Sequence, residues 1–138
     1  MKKKYIVTDP CYILASKEWD SCDFGGDYKS EITKILKNDY KCKNAFVENT
    51  GYGDWSNMLL GKNVDHENFT ADTGMVVVCD FNKSVEFAIK DNRIPHFCYA
   101  VFESKDDDIS VEFDKTNPCW TKVFISDSNN SWETCDYL

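Results

Sequence analysis

An α+β fold, mainly antiparallel β with one amphipathic helix, follows from three observations in the 138-residue sequence. After Gly25-Gly26-Asp27, the residues Tyr28, Ile32, Ile35, Leu36 and Tyr40 recur at helical spacing. Beyond residue 44 the pattern changes to strict alternation or to short β-branched and aromatic runs. Each run is bounded by Gly, Asn, Asp or Pro clusters, the residues that turns require. A helix followed by consecutive strands belongs to α+β rather than to alternating α/β architecture. The expectation is a meander or small barrel of about seven strands, with the helix near residues 28–41 on one face or opening of the sheet.

Taken in order, Tyr5-Ile6-Val7-Thr8 reads as a short strand stopped by Asp9-Pro10, and Cys11-Tyr12-Ile13-Leu14 resumes an apolar run. Asp27 is a candidate N-cap for the helix, and Lys37 and Lys41 near its end complement the helix dipole. Strands are expected over 45–47, 56–60, 75–79, 85–89, 97–102, 109–113 and 122–125. Asp127-Ser128-Asn129-Asn130-Ser131 reads as a hairpin turn returning through Trp132.

Length and composition fit a single domain over residues 1–138, with enough apolar surface to form a core. No apolar run approaches the roughly 18 residues of a membrane span, and an acid and a proline interrupt the start before a signal-peptide core forms, so a cytoplasmic, membrane-free protein is expected. The seven cysteines are an odd count with no C-x-x-C pair, which argues against a zinc ribbon and for free thiols. The net charge is −8, and residues 100–138 carry three basic residues against nine acids. Direct nucleic-acid binding is disfavoured, since phosphate neutralisation needs clustered Lys and Arg and the sole arginine is Arg93. A basic protein partner suits the acidic third, with Asp106, Asp107, Asp108, Glu112 and Asp114 beside Trp120 as the expected contact residues.

Three turn-like stretches set an aspartate against proline or glycine: Asp9-Pro10-Cys11-Tyr12, Gly51-Tyr52-Gly53-Asp54-Trp55 and Ala71-Asp72-Thr73-Gly74-Met75. Such loops present carboxylates at strand ends, and equally use them to close their own turns. Their order resembles that of a family of small uncharacterised proteins found in bacteria and their phages, over roughly the first 80 residues. The resemblance implies a phage or mobile-element origin in a bacterial host and implies no chemistry. Should the loops converge, Asp9, Tyr12, Tyr52, Asp54, Trp55 and Asp72 would line a pocket for a small molecule such as a signalling nucleotide. No nucleophile elbow, zincin helix, P-loop or dinucleotide fingerprint occurs, so no catalytic residue, metal or cofactor is assigned. The two histidines, His66 in a charged loop and His96 after Pro95, read as solvated and structural. Cys11 has no base in view and reads as a small buried hydrophobe. The expectation favoured overall is an inhibitor whose acidic face covers the basic, nucleic-acid-binding surface of a host defence protein.

Overall fold

A computed structural model describes residues 2–50, 55–116 and 121–136. Among them the strands are β1 (Lys3–Thr8), β2 (Ala45–Asn49), β3 (Trp55–Leu60), β4 (Val64–His66), β5 (Asn68–Ala71), β6 (Met75–Asp80), β7 (Ala100–Ser104), β8 (Ser110–Asp114), β9 (Lys122–Ser126) and β10 (Ser131–Asp136). The α-helices are α1 (Ser16–Asp20), α2 (Tyr28–Asn38) and α3 (Lys83–Asp91), with single 3-10 turns at Pro10–Tyr12 and His96–Cys98.

The fold is α+β and mostly antiparallel, as the sequence predicts, but the strands divide into two five-stranded sheets and close no barrel. Their orders are β2-β6-β1-β7-β4 and β5-β3-β10-β9-β8. The first sheet is buried on both faces, which explains why β6 is apolar at five consecutive positions rather than alternating. Met75, Val77 and Cys79 join Ile6 in a layer with Ile32 and Leu36 of α2 and Val85 and Ile89 of α3. Val76 and Val78 join Tyr5, Val7 and Phe102 in a second layer against Leu59, Val123, Ile125 and Trp132 of the other sheet. Helices, first sheet and second sheet thus form three layers, and the second sheet keeps an outer face without a covering layer among the described residues.

Residues 85–89 are helical, not a strand. Val85, Phe87 and Ile89 alternate, yet Val85, Ala88 and Ile89 also share a helical stripe, and the latter is what the fold buries, leaving Phe87 69% exposed. Asn82 decides the matter locally, its side chain accepting a hydrogen bond from the Val85 amide at 2.9 Å as an N-cap. Asp27 occupies the expected N-cap position of α2 but makes no side-chain cap bond. Of the apolar runs 11–14 and 97–102, the parts at Pro10–Tyr12 and His96–Cys98 are 3-10 turns, and β7 starts only at Ala100. Glu48 on β2 ties the layers at one side, pairing with Lys29 of α2 at 3.0 Å and with Lys115, just past β8, at 3.3 Å.

Candidate functional site

Strand registers send the first and third aspartate motifs, and the described flanks of the middle one, to one end of the sandwich. β1 finishes at Thr8, whose hydroxyl donates to the Cys98 carbonyl at 2.9 Å, and the chain turns at Asp9. The Asp9 side chain is wholly buried. One of its oxygens accepts the Cys11 amide at 2.9 Å; the other accepts the amides of Asp72 and Thr73, both at 2.7 Å. The Thr73 hydroxyl lies 2.9 Å from each oxygen. This is an anion held in a cup of amides from the β5–β6 turn, which Gly74 closes with a φ of +80°. Alongside, the Tyr12 and Thr70 hydroxyls hydrogen-bond at 3.1 Å.

The middle motif is anchored at the same place by both flanks. The Thr50 amide donates to the Gly74 carbonyl at 2.9 Å, and Trp55 pairs in register with Ala71. Tyr52, Asp54 and the side chain of Trp55 lie outside the described residues. Among the expected ligand residues, then, Asp9 meets the Ala71-Asp72-Thr73-Gly74 turn and Tyr12 meets Thr70 just before it. Four donors fill a carboxylate that has about four lone-pair sites, so Asp9 is committed to holding the loops together. Asp72 is exposed on the turn. Burial, then the neighbouring Asp9, pushes the Cys11 thiol far above its ordinary range, and burial raises the Tyr12 phenol to about 12. Neither offers an anionic nucleophile near neutrality.

The opposite end carries the acidic loop. Residues 105–109 join β7 to β8 and are braced from four directions. Tyr5 donates to the Asp106 carbonyl at 2.8 Å, and Asn44 donates to the Asp107 carbonyl at 2.8 Å while its own oxygen accepts the Ile109 amide at 3.4 Å. The Ser104 hydroxyl accepts the Asp106 amide at 3.0 Å and donates to Asp127 at 2.6 Å. Asp106 in turn accepts the Ser128 amide at 2.8 Å and its hydroxyl at 3.1 Å. Beneath the loop, buried Asp80 accepts the Lys43 amide and the Asn44 side chain at 2.6 and 3.1 Å, with Lys3 at 3.6 Å. The bracing uses backbone carbonyls and Asp106, so Asp107 and Asp108 remain exposed, Asp108 in a surface ion pair with Lys43 at 3.4 Å.

From this loop the chain runs along β8, an edge strand of the second sheet. Val111 and Phe113 pack towards the intersheet layer, which turns Glu112 to the outer face. Asp114 accepts the Thr116 amide at 2.9 Å, a bond that holds its carboxyl below the usual range. The outer face holds an open groove of about 630 Å³ whose lining includes Leu60, Glu112, Phe124, Trp132 and Glu133. Lys122 beside it pairs with Glu133 at 3.6 Å and lies over the Phe124 ring.

Of the residues expected to meet a partner, Asp107, Asp108 and Glu112 are exposed along one edge, Asp106 and Asp114 are engaged in turns, and Trp120 lies outside the described residues. Comparison with protein-family models, curated proteins and solved structures gave no match. The sequence reading missed Leu60, Phe124 and Glu133. The alternation of Lys122-Val123-Phe124-Ile125 carried the signal, since burying Val123 and Ile125 forces Phe124 outward. His66 and His96, expected to be solvated and structural, face one another with ring centroids 5.3 Å apart. All six described cysteines are free thiols, and no described helix is long and apolar enough to cross a membrane.

Proposed function

We propose that this protein is a non-enzymatic antagonist that covers a basic surface of another protein, and that Asp107, Asp108 and Glu112 with the adjoining groove make the contact. The observation that carries the reading is the continuity of exposed carboxylates and apolar surface along β8. Asp107 and Asp108 sit on a braced loop, and Glu112 and Glu133 flank a groove containing Leu60, which is 40% exposed, and Phe124. An apolar centre with a charged rim is the usual anatomy of a protein interface. A loop held by its backbone loses little freedom on binding, and acids displayed on it steer a cationic partner and reject anionic ones. Taken with the resemblance to bacterial and phage proteins, the partner is a nucleic-acid-binding protein of a host defence system, whose cationic site the acidic edge would occupy. The test is affinity capture from bacterial lysate with the wild-type protein and with the triple variant Asp107→Lys/Asp108→Lys/Glu112→Lys. A partner held by the wild type, released by moderate salt and lost by the variant supports the proposal. Retention of the same partner by the charge-reversed chain sinks it.

A second reading, a small-molecule site at the motif end, is favoured by one observation: the flanks of all three motif loops meet there. Asp9 is already saturated by protein donors, so this reading rests on Asp72 and Tyr12 among the described residues. Native mass spectrometry of gently purified protein distinguishes the two. A co-purifying small molecule that Asp72→Ala releases favours the pocket; a bare chain mass favours the antagonist.

A further inference from the structure

We infer that His66, His96 and Asn68 form a binding site for a divalent transition-metal ion of the zinc type. The chain has two histidines, thirty positions apart, and the fold brings them together where β4 passes into β5. Their ring centroids are 5.3 Å apart with the planes tilted by 39°. Metal–nitrogen bonds of about 2 Å at a tetrahedral angle put two imidazole centroids about 5 Å apart, so the spacing suits a shared ion. Both rings line a shallow pocket of about 300 Å³ together with Asp65, Glu67, Asn68 and Phe97. No lysine or arginine lines it, so its charge is that of two carboxylates.

The independent observation is Asn68. Its side-chain oxygen is buried and accepts no hydrogen bond. An unpaired buried acceptor is unfavourable and is explained when a donor or a cation completes it. Among the described residues no three His, Cys, Asp or Glu side chains already converge on one point. The unpartnered Asn68 amide oxygen, which shares the pocket with both rings, is the third protein donor in this assignment, and Asp65 and Glu67 supply negative field. Two imidazoles select zinc, cobalt or nickel over calcium or magnesium, and the remaining position stays open to water. The ion would fasten the β4–β5 corner to the His96–Cys98 turn, which is itself tied to Thr8 beside the motif end.

The test is titration of the reduced, chelator-treated full chain with Co²⁺, followed by its visible spectrum and by long-range ¹H–¹⁵N spectra of the imidazoles. One equivalent should bind with ligand-field bands, no thiolate charge-transfer band, and shifted ring nitrogens in both histidines. His96→Ala, at an exposed position, and His66→Phe, which keeps a ring against Tyr99, should each weaken binding at least tenfold. Asn68→Leu, which removes the amide oxygen at similar volume, should weaken binding in a folded chain, an outcome that a purely structural asparagine would not give. A thiolate band, wild-type affinity in His96→Ala, or no binding at millimolar Co²⁺ would overturn the assignment.

Discussion

At one end of the sandwich Asp9 lies wholly buried with four protein donors on its carboxylate; at the other, Asp107 and Asp108 stand in solvent on a loop held through its backbone and through Asp106. The residue type is the same, and what differs is which atoms do the bracing. Where the carboxylate itself receives the hydrogen bonds, the charge is internal and serves the fold. Where carbonyls, Asn44 and Ser104 do that work, the charge is left outward for something else to meet. The difference teaches that aspartates in turns cannot be assigned to a site until their acceptors are counted.

The largest expected effect is at the motif end. Asp9→Ala removes a wholly buried acceptor from the half-buried Cys11 amide and from the Asp72 and Thr73 amides; hydrogen bonds to a charged group contribute about 1.5–3 kcal/mol each, so urea unfolding should show a loss of roughly 3 kcal/mol or more. A loss below about 1 kcal/mol would break the comparison by making Asp9 dispensable. Thr73→Val, which keeps the backbone donor and removes the hydroxyl, should lose about 1–2 kcal/mol in the same measurement.

One titratable group at each end gives a separate handle on stability through pH. Burial raises Tyr12 from 10.0 to about 12, so its protonated form stabilises the fold below pH 10 and that contribution disappears as pH rises from 10 towards 12. Tyr12→Phe should therefore flatten the alkaline limb of a thermal-stability profile. At the acidic end burial raises the Asp127 carboxyl, but bonds from Ser104 and from the Asn129 and Asn130 amides outweigh it and hold the group below its ordinary value. Its contribution is full above the unfolded carboxylate range near pH 4 and is lost as pH falls through the folded value. Asp127→Asn should flatten the acid limb and leave the alkaline limb alone.

The smallest expected effect on stability is Asp108→Lys. It removes one exposed ion pair with Lys43 and should change unfolding free energy by no more than about 0.5 kcal/mol. A large loss there would mean that the acidic loop is as structural as the motif end.

The fold class was legible because α2 and most strands announce themselves by period, each buried on a consistent face. Residues 85–89 were not, because Val85, Phe87 and Ile89 fit a strand as well as Val85, Ala88 and Ile89 fit a helix, and only the Asn82 cap separates them. The division into two sheets was hidden as well. β1 sits between β6 and β7, pairings across 69–75 and 93–101 residues that no local pattern encodes. For the candidate sites, the exposure of Asp107, Asp108 and Glu112 follows from a polar loop and a period of two. The burial of Asp9 does not, since a turn that displays its aspartate and a turn that swallows it share one sequence.

The central claim is that the two ends are separable, one for folding and one for a partner. Its most direct test measures unfolding free energy and partner capture in parallel for Asp9→Asn and for Asp107→Lys/Asp108→Lys/Glu112→Lys. The account predicts that Asp9→Asn loses stability but still captures the partner under conditions where it remains folded, while the charge-reversed chain keeps its stability and captures nothing. Capture that survives charge reversal, or that vanishes with folded Asp9→Asn, would contradict it.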